Sequence, residues 1–358
     1  MMKRFAISLI VVLALAFCLA PPAAAEQKKP VDVVIMTTPF GTGMYNVGAA
    51  FEQVFKKAGS WVHIKHQETP GAMYMYKYMI QNLPKMKSGE VPQTIFAGGT
   101  GNLEYLAQGR QPFDKLKWPT VRSLVSNAGL VGFYVTMDPN IKSLKDLAGK
   151  RVGTAERARP FLGVLLDQPL FGNALGIYDK IDFAPLGDVG AKDAFLNGKL
   201  DAVRVGFGAR MEVAEDGSFF INVMAPAAPT MEILSSGKKI LVLPIEREWT
   251  EKGFDFSKDQ IVYPALIKQK ALPKILKEDI WARAGFMCLQ CDASLPDDIV
   301  EEIVRVRHEH RQDFGKYHAA LALFPSTPYP IGGPRKFVHP GVIKAMNTLG
   351  LPIPRERD

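Results

Sequence analysis

The sequence predicts an α/β protein in which strands and helices alternate. Short apolar runs rich in β-branched residues are followed by amphipathic stretches, which is the pattern of α/β layers. Glycine-rich turns stand at the ends of several of these strands, directly before a helix. With 358 residues, the chain is long enough for about two domains that each bury a core.

Composition excludes several other classes of protein. Apolar residues make up 47% of the chain and charged residues 22%, so it is neither a disordered chain nor a multi-span membrane protein. The formal net charge of +8 is scattered and forms no basic stripe with interleaved aromatic residues, so we expect no nucleic-acid partner. This charge supports only a mild preference for small anionic ligands.

The N-terminus has the pattern of a cleaved secretory signal. Two basic residues precede an uncharged run over 5–20, and Ala23-Ala24-Ala25 offers the small residues that signal peptidase needs. The run is shorter than the ~20 residues that span a bilayer. We therefore predict a signal peptide over 1–25 and export to the periplasm. A lipoprotein modified at Cys18 and an uncleaved N-terminal anchor are the alternatives.

The first half of the mature chain begins with three strand–helix units. Strands are predicted over 31–36, 61–65 and 93–97, followed by a long β-rich crossing over 121–137. Helices are predicted over 46–57, from 70 onward and over 102–108. Thr69 followed by Pro70 is typical of an N-cap and a first helical position, and Pro84 should end that helix.

The second half continues the alternation with shorter elements. Strands are predicted over 151–154, 181–183, 202–206, 239–243 and 284–292. Helices are predicted over 143–149, after Pro160, over 191–197 and over 297–310.

Four turns share one position in this pattern, at the carboxyl end of a strand and just before a helix. They lie at 41–45, 69–72, 98–102 and 153–160. Ligands bind at that edge of open α/β sheets, since helix N-termini present unpaired N–H groups to anions. The candidate ligand contacts in or beside the turns are Thr42, Tyr45, Thr100, Asn102, Glu156, Arg157, Arg159 and Phe207. The alternative is that each glycine only permits a tight turn.

The sequence predicts no catalytic constellation, metal site or bound cofactor. The histidine pairs at 63/66 and 308/310 are spaced so that their side chains diverge, which disfavours joint metal binding. Gly41-Thr42-Gly43 followed by Gly48 misses the dinucleotide-binding spacing. Cys288 and Cys291 lie three apart on a predicted buried strand, which favours inert thiols; a disulfide across a local bend is the alternative.

Segments spread over nearly the whole mature chain match one known family. They lie at 40–45 (FGTGMY), 69–71, 87–90, 141–153, 193–202, 293–300 and 339–350. With these segments the sequence resembles the TAXI group of extracytoplasmic solute receptors, which serve tripartite ATP-independent periplasmic (TRAP) transporters. The piece at 143–153 also occurs in many type II periplasmic binding proteins, whereas the first glycine-rich turn and the C-terminal piece favour the TAXI group.

The resemblance implies a type II periplasmic binding protein-like fold, with two α/β lobes and a ligand cleft at a β-strand hinge. The expected lobes are 26–130 plus 286–358, and 131–285. The implied function is capture of a small organic anion or amino acid between the lobes and its delivery to the integral membrane subunits of a TRAP permease, without catalysis or cofactor. The alternatives are a sensor subunit for a membrane kinase and an enzyme on the same fold, for which Glu156 and Tyr45 are candidates.

Carried over by position, the family's ligand-contacting turns map onto this chain. The residues are Gly41, Thr42, Gly43, Met44, Tyr45, Gly71, Ala72, Thr100, Asn102, Ala155, Glu156, Arg157, Gly206 and Phe207. The loop at 155–160 is bulkier and more charged than the small-residue loop usual in the family. We expect Arg157 or Arg159 to meet a ligand carboxylate there, because both precede a predicted helix N-terminus.

Overall fold

Eleven strands of the described residues form one sheet in the computed structural model of the protein. The described residues are 28–40, 42–157, 159, 162–216, 218–254, 262–325, 327–330 and 334–353. The described residues from Asp32 onward form one compact unit. The predicted signal peptide at 1–25 therefore lies outside the described residues.

The strands and helices confirm the predicted α/β class. The strands are β1 (Val31–Thr37), β2 (Val62–Glu68), β3 (Gln93–Gly99), β4 (Val121–Thr136), β5 (Arg151–Gly153), β6 (Asp182–Ala184), β7 (Ala202–Val213), β8 (Phe219–Pro226), β9 (Leu241–Leu243), β10 (Tyr263–Ile267) and β11 (Ile280–Asp292). The α-helices are α1 (Gly43–Lys57), α2 (Ala72–Ser88), α3 (Asn102–Gln108), α4 (Val164–Asp167), α5 (Gly187–Leu196), α6 (Ala228–Leu234), α7 (Arg247–Gly253), α8 (Asp297–Glu309), α9 (Arg311–Phe314) and α10 (Pro340–Thr348). None of the helices in the described ranges is long and apolar enough to cross a bilayer.

The order of the strands brings distant parts of the sequence together. It runs β2-β1-β3-β11-β10-β8-β7-β4-β9, with β5 paired to β6 and β7. The neighbours β1 and β3 are parallel, and the chain between them runs through α1, β2 and α2, as parallel neighbours require a long connection. By contrast β11, from the C-terminal part, inserts antiparallel beside β3.

Five strands close into a ring, because β11 pairs with β10 and also with β4. From β4 the pairing continues through β7 and β8 back to β10. An apolar core on these strands includes Phe133, Val205, Phe207, Ile221 and Phe286, and the rings of Phe133 and Phe207 stack at 5.2 Å. The ring of strands therefore ties the backbones of β4, β7 and β11 together by hydrogen bonds.

A second apolar core packs α2 and α3 against β1 and β3. Tyr76 on α2 makes edge contacts with Phe96 of β3 and with Phe113, at 5.3 and 5.6 Å between ring centroids. Trp118 is also buried here, and its Nε1 donates to Asp292 at the end of β11 (2.8 Å). This core sets the position of the turns that lead into α2 and α3.

The predicted boundaries of α2 were wrong at both ends. The helix begins at Ala72 with Gly71 as N-cap, because the Thr69 hydroxyl donates to the Thr37 carbonyl (2.7 Å) and holds that residue in the turn. Gly71 has φ +144°, which a glycine adopts without strain. The helix also continues past Pro84 to Ser88, since Met86 in its last turn is buried in the second core.

Other predictions of local structure hold or need small corrections. The predicted crossing over 121–137 is confirmed as the single strand β4, and α1 begins at Gly43 rather than at 46. The predicted helix start at Pro160 falls outside the described residues; α4 and a π-helix (Gln168–Ala174) follow.

The two cysteines of β11 are free, buried thiols, as the favoured interpretation predicted. Both side chains are fully buried, and burial raises the pKa of the Cys288 thiol to about 12. The alternative of a disulfide is therefore wrong for this structure.

Candidate functional site

A cavity of about 580 Å³ lies where the turns after β1, β2, β3, β5 and β8 converge on the middle of β4, β7 and β11. This volume is within the range of about 300–1,000 Å³ that small-molecule sites have. The predicted residues that line it are Thr42, Gly43, Met44, Gly71, Ala72, Asn102, Glu156, Arg159, Gly206 and Phe207. The predicted residues that do not line it are Tyr45, Thr100, Ala155 and Arg157. Gly41 lies outside the described residues.

The first turn leads into α1 and is closed by threonines. Thr42 is the N-cap: its hydroxyl accepts from the Tyr45 N–H (3.3 Å) and donates to the Pro39 carbonyl (2.7 Å). Thr38 lies 2.7 Å from the same hydroxyl. Because these bonds fix the entry to the helix, Gly43 and Met44 present its first turn to the cavity.

Two predicted residues support the turns from behind. Tyr45 packs edge-on between Phe40 and His66, at 5.1 and 4.7 Å between centroids. Thr100 bonds through its N–H to the Phe286 carbonyl of β11 (2.9 Å), which ties the third turn to the central strands.

The N-terminus of α2 faces the cavity without a side-chain cap. Gly71 provides no cap hydrogen bond, and Pro70, Gly71 and Ala72 all line the cavity. Helix N-termini carry unpaired N–H groups and a partial positive charge. This end of α2 can therefore receive an acceptor or an anionic group from a ligand.

Asn102, at the start of α3, is buried with 4% of its surface exposed. Its Nδ2 donates to the hydroxyl of Tyr76 (2.7 Å), and its Oδ1 has no hydrogen-bond partner among the described residues. Burial raises the pKa of Tyr76, so the phenol stays neutral. Asn102 thus lines the cavity with one acceptor that has no partner among the described residues.

A β-bulge in β4 places Asn127 at the cavity. Met287 pairs with Ala128 and Cys288 with Ser126, so Asn127 has no opposite residue on β11. A bulge of this kind re-aims the side chain of the extra residue. Asn127 lines the cavity, is fully buried, and neither atom of its amide has a hydrogen-bond partner in the described parts of the chain.

On another side of the cavity, four side chains form an acid–arginine cluster (Glu156, Arg159, Asp188 and Arg204). Arg159 donates to Glu156 through Nε and Nη2, the second bond at 2.7 Å, and to Asp188 at 3.0 Å. Arg204 of β7 lies 3.5 Å from the other oxygen of Asp188. Burial opposes ionisation of Asp188, yet Arg204 and Arg159 lower the pKa of its carboxyl below the ordinary value. The Asp188 carboxylate is therefore charged at neutral pH, and both carboxylates pair with arginine.

Arg157, in contrast, is exposed and outside the cavity. Of the two arginines predicted to meet a ligand carboxylate, only Arg159 lies where a ligand could reach it. The sequence could not separate them, because they stand two residues apart in one loop.

A third cavity-lining arginine, Arg283 of β11, belongs to a buried network. Its Nη1 donates to the Leu166 carbonyl, and its Nη2 lies 3.8 Å from Asp167. Asp167 accepts from the hydroxyls of Tyr134 (2.6 Å) and Thr154. These bonds hold the chain after β5 against β4 and β11 beneath the cavity.

The remaining lining is mostly apolar and includes a segment from the C-terminal part. That segment supplies His318, Ala320, Leu321 and Phe324. Arg307 of α8 fixes it to β4, since its Nη2 donates to the Pro325 carbonyl (2.9 Å) and to the Ser126 carbonyl (3.0 Å). The same contact supports the bulge next to Asn127.

Sequence reasoning missed the polar residues that come from strands and from the start of α5. These are Asn127, Asp188, Arg204 and Arg283. The sequence did contain a signal for the three strand residues, because an arginine or asparagine inside an otherwise apolar strand is rarely buried without a partner. Within the described ranges, no group of three His, Cys, Asp or Glu side chains is arranged to hold a metal ion.

Comparison with solved structures finds proteins similar in chain path over most of their length. They include a TctC solute binding protein from Polaromonas (14% identity, 91% of this chain and 99% of that chain, TM-score 0.47). They also include MatC from Rhodopseudomonas palustris with bound malate (16% identity, 90% and 96%, TM-score 0.44). A third is the periplasmic aliphatic sulphonate binding protein SsuA from Escherichia coli (14% identity, 89% and 79%, TM-score 0.41). Likeness at this level carries no functional argument.

Comparison of sequences identifies the family of this chain. Curated protein sequences show no significant match to this chain. A protein-family model described as the NMT1-like family, however, matches residues 35–345, which include every described residue of the cavity lining. On that match the chain belongs to the NMT1-like family.

Proposed function

We propose that this protein is a periplasmic solute-binding receptor of the TAXI type, which captures a small organic anion or amino acid and delivers it to a TRAP permease. The observation that carries the proposal is the cavity, which is lined by residues of both proposed lobes. Gly43, Asn102 and Met287 belong to 26–130 plus 286–358, whereas Arg159 and Arg204 belong to 131–285.

The strands between these lobes support a hinge. The chain crosses between the proposed lobes on β4 and on β11, and the two crossings pair antiparallel, with Ala284 opposite Val131. Two paired strands that bend together permit closure of one lobe on the other without breaking either core. Ligand bound between the lobes is then shielded from water on both sides.

The charges of the cavity suit an anion or a zwitterion. Arg204 lies 3.5 Å from Asp188, a longer contact than the 3.0 Å between Arg159 and Asp188. A ligand carboxylate can take a place on Arg204, and the N-terminus of α2 offers N–H groups to the same kind of ligand. Glu156 and Asp188 pair with arginine, but a carboxylate can accept further hydrogen bonds, so a ligand ammonium group, which an amino acid would bring, can share them.

Catalysis is not part of the proposal. Glu156, one of the two residues considered for an enzyme, is engaged by Arg159, and Tyr45, the other, does not line the cavity. A permease partner is taken from the resemblance to the TAXI group, and the cavity supports only the capture step.

A thermal-shift screen of the mature protein against organic acids and amino acids tests the capture step. A specific ligand stabilises the protein by about 2.7 kcal/mol at a hundred times its Kd. Uptake of the labelled hit into proteoliposomes that hold a TRAP permease then tests delivery. Uptake that needs both proteins supports the whole proposal; binding without uptake contradicts delivery, and no hit in a broad screen contradicts capture.

A further inference from the structure

The bulge of β4 carries a buried amide whose hydrogen-bonding groups have no partner among the described residues. Asn127 is fully buried, and neither its Nδ2 nor its Oδ1 bonds to another group of the described chain. Buried polar side chains in native proteins are nearly always hydrogen-bonded. Since Asn127 lines the cavity, a bound molecule is the partner that the structure leaves for it.

A second amide belongs to a residue that lines the same cavity, in the neighbouring strand–helix turn. The Nδ2 of Asn102 donates to the Tyr76 hydroxyl, and its Oδ1 has no partner among the described residues. In the sheet, Gly99 of β3 lies opposite Met287, and Met287 lies opposite Ala128. Gly99, at the start of this turn, and Ala128, next to the bulge, therefore lie two strand spacings apart, or about 10 Å. One small molecule can contact both amides.

The free groups define what that molecule must carry. Asn127 offers two N–H donors and one carbonyl oxygen, and Asn102 offers one carbonyl oxygen. A carboxylate only accepts hydrogen bonds, so it would satisfy the Asn127 donors and leave both carbonyl oxygens unpaired. A carboxamide brings a carbonyl acceptor and two N–H donors, and so matches the set.

The surroundings favour a neutral group over an ammonium. No carboxylate of the described residues bonds to either amide, and Tyr76 and Phe113 line the cavity beside them. A cation buried there would lack a counter-charge, which is costly in an apolar environment. The carboxylates that line the cavity belong to the acid–arginine cluster and pair with arginine.

We propose that Asn127 and Asn102 form an amide pair that selects solutes carrying a carboxamide. This inference rests on the proposed function, because it names the ligand class of the same cavity. The carboxamide end binds at the amide pair, and a charged end, where the solute has one, reaches the acid–arginine cluster.

Matched pairs of probes test the inference by calorimetry: succinamate against succinate, and nicotinamide against nicotinate. We expect the wild-type protein to bind the carboxamide of at least one pair at least about tenfold more tightly than its acid. Asn127→Leu should abolish that preference, lowering carboxamide affinity about 10- to 100-fold and leaving the acid within about threefold. Asn222→Leu, a strand asparagine of β8 outside the cavity lining, is the control and should keep the preference.

Folding of the variants is part of the test. Replacing a buried amide without partners by leucine should leave the melting temperature of the ligand-free protein unchanged or higher. Should Asn127→Leu not fold, Asn127→Ala removes the amide without adding bulk or charge, and it should lose the carboxamide preference as well. In wild-type protein, the side-chain NH₂ resonances of Asn127 should shift on addition of the carboxamide.

The outcomes separate this inference from the proposed function. Tighter binding of both acids than of their amides, or a preference that survives in Asn127→Leu and Asn127→Ala, overturns the amide pair and leaves a solute receptor. Failure of every probe, together with failure of the broader ligand screen, overturns both.

Discussion

Single replacements of Arg204, Arg159 and Arg157 by alanine should weaken ligand binding to different degrees, and we expect the largest effect at Arg204. Its side chain is 9% exposed, and its contact with Asp188 is long at 3.5 Å. Its Nε has no hydrogen-bond partner among the described residues and remains for a ligand carboxylate. Loss of a buried, charge-assisted contact costs roughly 2–5 kcal/mol, so Arg204→Ala should raise Kd about 30-fold to several thousand-fold.

Replacement of Arg159 should have the second-largest effect on Kd, because this arginine already pairs with carboxylates of the protein. Its guanidinium binds Glu156 and Asp188, and its side chain is 18% exposed. Removing it releases both carboxylates toward the ligand. The loss of one hydrogen bond to a charged group, about 1.5–3 kcal/mol, corresponds to a rise in Kd of about 10- to 150-fold.

Arg157 is the matched control from the same loop. It is exposed and does not line the cavity, so Arg157→Ala should cost less than about 1 kcal/mol, or about fivefold in Kd. Arg204→Lys adds a second control, since it keeps the charge and loses the fork that binds a carboxylate through two bonds. Its Kd should lie between those of wild type and Arg204→Ala.

Isothermal titration with the hit of the ligand screen measures these constants, and circular dichroism shows that each variant is folded. Changes of less than about threefold for both Arg204→Ala and Arg159→Ala would refute the assignment. The N-termini of α1 and α2 would then be the remaining groups for an anion. A larger effect at Arg157 than at Arg204 would show that the loop after β5 is placed differently in solution.

Three further predictions concern the fold. Burial opposes ionisation of Asp292, but hydrogen bonds from Ser294, Thr120 and Trp118 lower the pKa of its carboxyl. The charged carboxylate therefore stabilises the fold fully above about pH 4, and this stabilisation is lost as the pH falls through the lowered pKa of the folded state. The melting temperature of Asp292→Asn should fall less between pH 5 and pH 2 than that of wild type. Cys288 and Cys291 should resist thiol reagents at pH 8 in the native protein and react fully in denaturant, because both are buried and burial raises the pKa of each thiol; rapid native labelling would contradict the buried strand. The radius of gyration from small-angle scattering should decrease at saturating ligand, and an unchanged value with a confirmed ligand would count against lobe closure.

The parts of the fold that the sequence predicted correctly depend on local signals. The strand β3, the helix α3 and the capped turn at 143–149 follow from apolar period and cap residues within a few positions. The turn at 41–45 was predicted to lead into a helix, and Thr42 does cap α1 there, whereas contact of this turn with a ligand stays a prediction. Such features need no knowledge of distant residues, which is why pattern alone could find them.

The errors arose where a distant contact overrides a local signal. Thr69 has the sequence of an N-cap, yet its hydroxyl bonds to Thr37, a residue 32 positions earlier. Pro84 has the sequence of a helix end, yet Met86 is buried and the helix continues. The bulge at Asn127 depends on the register between β4 and β11, which lie more than 150 residues apart, and no spacing within β4 encodes it.

The origin of the site residues has a mechanical consequence under the proposed function. Asn127 and Asn102 belong to the proposed lobe of 26–130 plus 286–358, whereas Arg159 and Arg204 belong to the proposed lobe of 131–285. A ligand that binds only the amide pair leaves the second of these lobes free, and a ligand that binds only the acid–arginine cluster leaves the first lobe free. A solute that reaches both the amide pair and the acid–arginine cluster binds the closed form more tightly than the open form. Only such a difference in affinity can shift the equilibrium toward the closed form. Nicotinamide, which lacks a carboxylate, should therefore bind with a smaller change in radius of gyration than succinamate, which carries both groups.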